Sequence, residues 1–456
     1  MANPSQYATE HHDQFLQELI SFLKIPSVST QPERKNDVRK AAEWLRERCI
    51  QVGMSRVELF ETEGHPIVYA EWLGAGADKP TVLVYGHYDV QPAQKDDGWD
   101  TDDPFVPEIR DGNIIARGAT DDKGQLFLHL KAFEAFMKTT GAFPVNIKIL
   151  LEGEEEDSSR NLPAFLKQHR ELLDADLALI SDTAMFNANI PAIPYGLRGL
   201  LICELIVEGP KNDLHSGMYG GAVANPIHVL SRILASMHDD YGRVTVEGFY
   251  DDVRELSSDE RAQLARIPYG EEELRKETGV SASWGDTQYT IVERMGARPT
   301  IDMTSFKGGL LGDGIKNIIP QKAWGHLTCR LVPYQNPHKI FELLQKHIER
   351  HSPPSVKVTL KKYSADEAVL IDPRVAPMQK AVDAFKAVYR EEPLFTLVGG
   401  SIPIVKWLVD DFNIPVVLMG FGLPDDNLHG PNEKFSIEQF RLGIQTLIKY
   451  YESLAE

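Results

Sequence analysis

Cysteine is scarce in this sequence, and its scarcity excludes two kinds of site. The 456 residues include only three cysteines, Cys49, Cys203 and Cys329, which are odd in number and far apart. A disulfide framework needs paired cysteines, and a cysteine-rich metal site needs them clustered at short spacing. We therefore expect three reduced core residues and no such site.

Long apolar runs are also missing. The longest, near residues 414–421, is too short to span a bilayer. The first residues, MANPSQYATEHHDQF, lack the basic start and the apolar stretch of a signal peptide. These absences predict a cytoplasmic protein without a membrane partner.

Positive charge is in deficit, because 48 Lys and Arg stand against 67 Asp and Glu and leave a formal net charge of −19. Nucleic acid is a poor partner for so acidic a chain. With 42% hydrophobic and 25% charged residues, the composition is otherwise that of an ordinary globular protein. At roughly 150 residues per domain, the length favours about two or three domains.

Helix and strand signals alternate from the start of the chain, which is typical of α/β proteins. Apolar residues at helical spacing predict a helix between Glu33 and Val52, with Gly53 as its C-terminal cap. A last helix is predicted from Ser436, because Gln439 follows at capping-box spacing.

Metal-type side chains follow several apolar, strand-like runs. The runs at 81–85, 114–116, 147–151, 177–180 and 415–420 precede, in turn, His87 and Asp89, Asp121 and Asp122, Glu154 to Glu156, Asp182, and His429. In open parallel sheets the site lies beyond the carboxyl ends of the strands, so we expect these side chains to converge.

Between residues 200 and 371 the pattern changes to β-α-β-α-β, which predicts a small sheet with helices on one face. Strands are expected at 201–207, 324–332 and 356–361, a helix at 337–351 and another opened by Asn225, with a polar insertion at 239–298. Strand-helix alternation resumes after Asp372, so residues 200–371 are predicted to be a domain inserted into a larger one of residues 1–199 and 372–456. The glycines from Gly308 to Gly314 do not follow a clear strand and receive no role.

Taken singly, the candidate residues are weak signals. A His-x-Asp pair is expected about once by chance in a chain this long, and an acidic triplet is more often a solvated surface. Their placement after buried strands favours function, because an unpaired buried carboxylate is costly. Histidine nitrogens and carboxylates hold zinc-like metals, and a bridging carboxylate can serve two ions. Phosphate-loop, His-Glu-x-x-His and Gly-x-Ser-x-Gly motifs are absent.

Ten segments resemble, in order, one family of enzymes. They are VLVYGHYDVQPA, WDTDDPF, DGNIIARGATDDKGQ, LLEGEEE, LISD, YGLRG, DLHSGMYGG, RLVP, GGSIP and NLHGPNEKF. The chain resembles the dinuclear zinc peptidases that include glutamate carboxypeptidase, aminoacylase and carnosinase, and it is most similar to the carnosinase-type cytosolic dipeptidases. The resemblance implies a mixed-sheet α/β catalytic domain, an α+β lid that also forms a homodimer, and two divalent ions per subunit, zinc first, with manganese or cobalt as alternatives.

The resemblance also assigns metal ligands. It implies that Asp121 bridges both ions, that its peptide bond to Asp122 is cis, and that Asp89 orients the imidazole of His87. In the pairing we predict, His87 and Asp182 share one metal with the bridge, and Glu156 and His429 share the other.

Glu155 is predicted to be the general acid/base that activates a metal-bridging hydroxide. The extra acid at Glu154 leaves a slip of one residue open, but Glu152 and Gly153 of E-G-x-E-E favour Glu155 and Glu156 in these roles.

Substrate residues follow from the same comparison. His215 resembles a lid histidine that stabilises the oxyanion in the partner subunit's site, and Arg330 resembles the clamp for a substrate carboxylate. Gly400 and Ser401 would line the pocket, and Asn317 stands where the family often has threonine. One departure, Asp372-Pro373-Arg374 in place of His-Pro-His, predicts a difference in substrate preference.

The predicted function is metal-dependent hydrolysis of dipeptides at the bond next to a free C-terminal carboxylate. An N-acyl or N-carbamoyl amino acid amidohydrolase remains the alternative within the enzymes, since only the lid pocket would differ. From another class, the alternative is an inactive metal-binding scaffold.

Overall fold

The computed structural model describes residues 3–400 and 402–456, and its fold is α/β with mixed sheets, which confirms the predicted class. The chain divides into two compact units. The first contains the residues up to Tyr195 together with Ile371–Phe395 and Pro403–Glu456, and the second contains Gly196–Leu370 and Thr396–Ile402.

The first chain segment contains both helices and strands. In order they are α1 (Pro4–Glu10), α2 (His12–Leu23), α3 (Lys35–Val52), β1 (Arg56–Phe60), β2 (Ile67–Trp72), β3 (Thr81–His87), β4 (Glu108–Arg110), β5 (Asn113–Ile115), α4 (Lys123–Thr140), β6 (Asn146–Glu152), α5 (Leu162–Gln168), α6 (Arg170–Leu173), β7 (Leu177–Ile180) and β8 (Ala192–Leu197).

The second unit's main segment follows, and the chain then returns to the first unit. The elements are β9 (Gly199–Glu208), β10 (Leu214–His215), α7 (Ser216–Tyr219), α8 (Pro226–Ala235), α9 (Ser258–Leu264), α10 (Glu271–Thr278), α11 (Ile291–Gly296), β11 (Thr300–Gly308), β12 (Ile318–Ile319), β13 (Lys322–Leu331), α12 (Pro337–His351), β14 (Lys357–Asp366), β15 (Val369–Leu370), α13 (Ala376–Tyr389), β16 (Leu394–Val398), α14 (Pro403–Lys406), β17 (Val416–Leu418), β18 (Lys434–Ser436) and α15 (Ile437–Leu454).

A six-stranded sheet in the order β1-β2-β6-β3-β7-β17 forms the centre of the first unit. The β1–β2 and β2–β6 pairs are antiparallel, whereas β3 is parallel to both β6 and β7, and β17 is parallel to β7. Helix α4 packs against β3 and α15, and all seven residues of β6 are buried. The carboxyl ends of β3, β6 and β7 therefore meet at one edge of this sheet.

The strand before Asp121 does not belong to that sheet, so the expectation that the 114–116 run joins the parallel strands was wrong. Strand β5 pairs antiparallel with β4 and β18 in a separate three-stranded sheet. The cause is the Asp111-Gly112 turn, where both residues have positive φ (50° and 75°), as in a tight two-residue hairpin.

The second unit contains a four-stranded antiparallel sheet in the order β11-β13-β9-β14. Side chains of β9 and β13 alternate between buried and half-buried, and helices α8 and α12 pack against the sheet. Asn225 and Asn336 cap these helices through their side-chain oxygens. The sheet has one strand more than the predicted three, because β11 was missed; the statement that Gly308 follows no clear strand was wrong.

Two local expectations are confirmed. Gly53 ends α3 with φ of 100°, and the Ser436 hydroxyl accepts a hydrogen bond from the Gln439 amide at 3.3 Å. The three cysteines are free and buried, as predicted. Among the described residues, no helix combines the length and the apolar character needed to cross a membrane.

Candidate metal centre

Two groups of potential metal ligands share one carboxylate. The first contains His87, Asp121 and Asp182, and the second contains Asp121, Glu156 and His429; within each group the ligand atoms lie within 4.8 Å of one another. The structure thus brings together all five predicted ligands, grouped as the sequence interpretation pairs them. Their role as ligands stays a prediction.

The two oxygens of Asp121 face different histidines. Oδ1 lies 3.0 Å from Nε2 of His87, and Oδ2 lies 3.0 Å from Nε2 of His429. The other carboxylates complete the groups, with Asp182 3.8 Å from His87 and Glu156 3.5 Å from His429. A carboxylate that presents one oxygen to each group has the geometry of a bridge between two ions.

Asp89 is fully buried behind these ligands and contacts two of the segments that carry them. Nδ1 of His87 lies 3.1 Å from the backbone oxygen of Asp89 and 3.5 Å from its carboxylate, which leaves Nε2 facing the ligand group. The same carboxylate accepts hydrogen bonds from the amides of Glu155 (3.2 Å) and Glu156 (3.1 Å). Asp89 therefore also holds the acidic turn, a contact that sequence reasoning missed.

The three consecutive glutamates have different surroundings. Glu154 is buried, and its carboxylate accepts hydrogen bonds from the side chain of Asn161 (2.9 Å to each oxygen) and from the amide of His65 (3.2 Å). Glu156 belongs to a ligand group, whereas Glu155 belongs to neither. This arrangement supports the assignment in which Glu156 is a ligand and Glu155 is available for proton transfer.

Negative charge is concentrated around the shared carboxylate. Burial raises the pKa of Glu155 well above its usual range, that of Glu156 to about 7 and that of Asp182 to about 6, and neighbouring carboxylates act in the same direction. Burial opposes ionisation of Asp121 as well, but hydrogen bonds from His429 and His87 lower its pKa.

Such crowding of acids favours a cation. Two imidazoles and three carboxylates form a donor set suited to zinc, manganese or cobalt, so the residues present fit two divalent ions.

A glycine at the end of β3 allows the Asp121 segment to come close. A Cβ at Gly86 would lie 2.8 Å from Oδ2 of Asp122 and 2.9 Å from Cβ of Leu126. That Asp122 oxygen instead accepts a hydrogen bond from the His87 amide at 3.2 Å. The Asp121–Asp122 peptide bond is cis, as the resemblance implies.

Two of the predicted substrate residues are neighbours within the second unit. His215 pairs with Ile318 in the β10–β12 ladder, and the amide of Ser216 donates to the backbone oxygen of Asn317 at 3.1 Å. Nδ1 of His215 accepts a hydrogen bond from the Gly217 amide at 3.0 Å. A neutral His215 with this contact carries its proton on Nε2, which is then the nitrogen that can donate a hydrogen bond.

A second arginine accompanies Arg330 in this unit. Burial and the charge of Arg330 lower the pKa of Arg198 to about 10. The guanidinium of Arg198 lies against the backbone at Gly399, where a Cβ would come within 2.7 Å of Nη2. Gly400 is exposed with open space around it, and Ser401 lies outside the described residues.

Two ligand groups that share a carboxylate, with a glutamate beside them, define a candidate dinuclear hydrolase centre on a mixed sheet. The profile of Peptidase family M20/M25/M40 matches residues 83–453, and the chain belongs to this family. The resemblance found from the ten sequence segments is confirmed.

Similar proteins include dipeptidases by name. The chain is 34% identical to a Cys-Gly metallodipeptidase of Saccharomyces cerevisiae, over 97% of this chain and 96% of that protein. It is 31% identical to the Beta-Ala-His dipeptidase of Homo sapiens, over 99% and 92%. The solved structure of the dipeptidase Dug1p from Saccharomyces cerevisiae matches with a TM-score of 0.85 and 33% identity, over 99% of this chain and 98% of that one.

Sequence reasoning missed a buried ion pair beside the ligands. Nη1 of Arg117 donates to Oε2 of Glu433 at 2.7 Å, and both side chains are almost fully buried. The available signal was a charged residue in each of two recognised segments, IIARGATDD and NLHGPNEKF, close to Asp121 and His429.

Proposed function

We propose that this protein is a metal-dependent dipeptidase that cleaves the peptide bond next to a free C-terminal carboxylate. The observation that carries the proposal is the pair of ligand groups joined through Asp121, with Glu155 beside them and in neither group. The relatives named as dipeptidases support the same reaction. Two divalent ions per subunit are proposed. Zinc is the preferred identity of these ions, and manganese and cobalt are the alternatives.

Each side chain has a distinct task in this proposal. His87 and Asp182 would hold one ion, Glu156 and His429 would hold the other, and Asp121 would serve both. When bound, the ions supply Lewis acidity, which polarises the peptide carbonyl and lowers the pKa of water.

Glu155 accepts the proton of the attacking water and donates it to the departing amine. Burial raises the pKa of Glu155, which makes its carboxylate a stronger base for the first transfer and lets the carboxyl group hold the proton until the second. Asp89 keeps both Glu155 and the His87 ring in place through its hydrogen bonds.

Two adjacent arginines support a substrate with a free carboxylate. Burial, and after it the charge of Arg330, lowers the pKa of Arg198, and an anion bound between the two arginines would offset the repulsion between them. A planar guanidinium can bind both oxygens of a carboxylate at once. A dipeptide whose C-terminus is an amide would lack the carboxylate that these arginines bind.

We further propose a cytoplasmic homodimer in which the inserted domain, residues 200–371, is the lid and the dimerisation domain. In this dimer His215 stabilises the oxyanion in the partner's site, and Asn317, Gly400 and Ser401 line the substrate pocket. The exposed apolar side chains of Met218 and Tyr219, three and four residues after His215, support burial of this segment in an interface.

A substrate panel tests the reaction. Metal-free protein reloaded with zinc, manganese or cobalt is assayed with dipeptides, the same dipeptides as C-terminal amides, and N-acetyl or N-carbamoyl amino acids. We expect dipeptides to give the highest kcat/KM, and we expect kcat/KM for each C-terminal amide to be about tenfold or more below that of the matching dipeptide. Arg198→Met should reduce the difference in kcat/KM between dipeptides and their C-terminal amides while leaving the metal content unchanged. Preference for the N-acyl compounds would establish the amidohydrolase, and metal binding without any hydrolysis would establish the scaffold.

A further inference from the structure

The carboxylate of Glu433 is surrounded by hydrogen-bond donors from the segment that carries the shared ligand. Oε2 accepts from the Gly118 amide at 2.9 Å, and Oε1 accepts from the amides of Thr120 (3.0 Å) and Asp121 (3.1 Å). Arg117 adds the charged contact described above, and Glu433 itself has no exposed surface. An ionised carboxylate, which only accepts hydrogen bonds, satisfies all four of these donors.

Arg117 makes the reciprocal contact with the segment that carries His429. Its Nη2 donates to the backbone oxygens of His429 (3.1 Å) and Gly430 (3.0 Å), while Nη1 holds Glu433. Arg117 lies four residues before Asp121, and Glu433 lies four residues after His429. Arg117, which is close in sequence to Asp121, thus holds the backbone at His429. Glu433, which is close in sequence to His429, holds the backbone at Asp121.

The His429 segment depends on such support. Its backbone has φ of 61°, and Asn427 and Asn432 also have positive φ, in the left-handed region that residues with a Cβ rarely adopt. Residues in this region persist only where the surroundings hold them. The imidazole that this segment presents lies 3.0 Å from Asp121. The backbone contacts of Arg117 and Glu433 therefore set the distance between two ligand side chains of the second group.

We propose that Arg117 and Glu433 are a positioning pair that fixes His429 relative to Asp121 and so sets the affinity of the second ligand group for its metal ion. This inference rests on the proposed two-ion function. In the first ligand group, the hydrogen bonds described for the pair reach only the shared Asp121, whereas His87 comes from β3 and Asp182 from the segment after β7. Loss of the pair should therefore weaken one ion more than the other.

The test is Glu433→Gln, which keeps the side-chain volume but turns a donor toward at least one of the surrounding N–H groups. Zinc binding to the metal-free protein is measured by calorimetry and by competition with a chelating dye. We expect wild type to bind two ions and the variant to bind one of them about 10- to 100-fold less tightly, with a smaller change in affinity for the other. The visible absorption of the cobalt-loaded protein should change in parallel.

A matched control separates positioning from general stability. Glu18→Gln removes a carboxylate that lies 2.5 Å from the buried ammonium of Lys131, within the same unit but outside both ligand groups. It should lower the melting temperature of the metal-free protein and leave both zinc affinities unchanged. Should Glu433→Gln fail to fold, Arg117→Lys serves instead, because a lysine keeps the charge but cannot span Glu433 and the carbonyl of His429 together.

Unchanged zinc affinities in folded Glu433→Gln or Arg117→Lys would overturn the inference. A loss of zinc affinity in Glu18→Gln as large as that in Glu433→Gln would overturn it too. A wild-type protein that binds fewer than two ions would overturn the proposed function as well. The two failures are therefore distinguishable in one set of titrations.

Discussion

Replacing Glu155 by glutamine tests the proposed proton transfer most directly. Glutamine has nearly the same size as glutamate, and the substitution leaves unchanged the backbone N–H that donates to Asp89 at 3.2 Å. Glu155 belongs to neither ligand group. The variant should therefore retain its metal. Because it loses the group that accepts and donates the proton, we expect kcat to fall about 100-fold or more.

Neighbouring glutamates provide the matched variants. Glu154→Gln turns one amide hydrogen-bond donor toward the Asn161 side chain or the His65 amide, at a cost of about 1–2 kcal/mol in the free energy of unfolding. Its kcat should remain close to that of wild type. Glu156→Gln weakens a ligand, so its metal content should fall toward one ion per subunit.

The assay measures kcat with a dipeptide, metal content by elemental analysis and unfolding by chemical denaturation for all three variants. If activity in Glu155→Gln falls only in proportion to lost metal, Glu155 is a ligand rather than an acid/base. If Glu154→Gln instead shows the large loss of kcat with full metal content, the roles are shifted by one residue, and Glu154 is the general acid/base.

Three further changes have distinct expected results. Asp121→Ala should leave less than one ion per subunit, because it removes a ligand from both groups; full metal content by elemental analysis would identify another bridge, such as Asp122. Mixing inactive Glu155→Gln with inactive His215→Ala subunits should restore about a quarter of the wild-type activity through heterodimers with one intact site, and no recovery after verified exchange would place His215 in its own chain's site. Burial lowers the pKa of His129 to about 3, so the unfolded chain binds the extra proton and stability falls as the pH drops below about 6.5. His129→Gln should remove about 2 kcal/mol of the difference in unfolding free energy between pH 7 and pH 5, measured by urea denaturation, and an unchanged difference would contradict this.

The five candidate ligands could be selected from the sequence because charged residues directly after buried strands are costly unless a partner or a metal ion compensates them. His87 ends β3 and Asp182 follows β7, as the sequence pattern indicates. Asp121 was found by its motif rather than by its strand, since β5 lies outside the parallel sheet. The hairpin signal at Asp111-Gly112 was present in the sequence and outweighed the short apolar run that follows it.

Contacts between distant segments were beyond sequence reasoning. Arg117 and Glu433 are 316 residues apart, and nothing in either local pattern states that the two side chains meet. Strand β11 was missed for a different reason. Its side chains are mostly exposed or half-buried, so the alternation of apolar and polar residues that indicates a strand is weak there.

The ligands also occur in an order along the chain that matters during synthesis. The first group is complete once residue 182 has been made, and five strands of its sheet precede that residue. The second group needs His429, which follows the whole second unit. With the proposed ligands, a growing polypeptide that emerges from the ribosome would therefore be able to acquire one ion early, whereas the second ion would await the synthesis of His429.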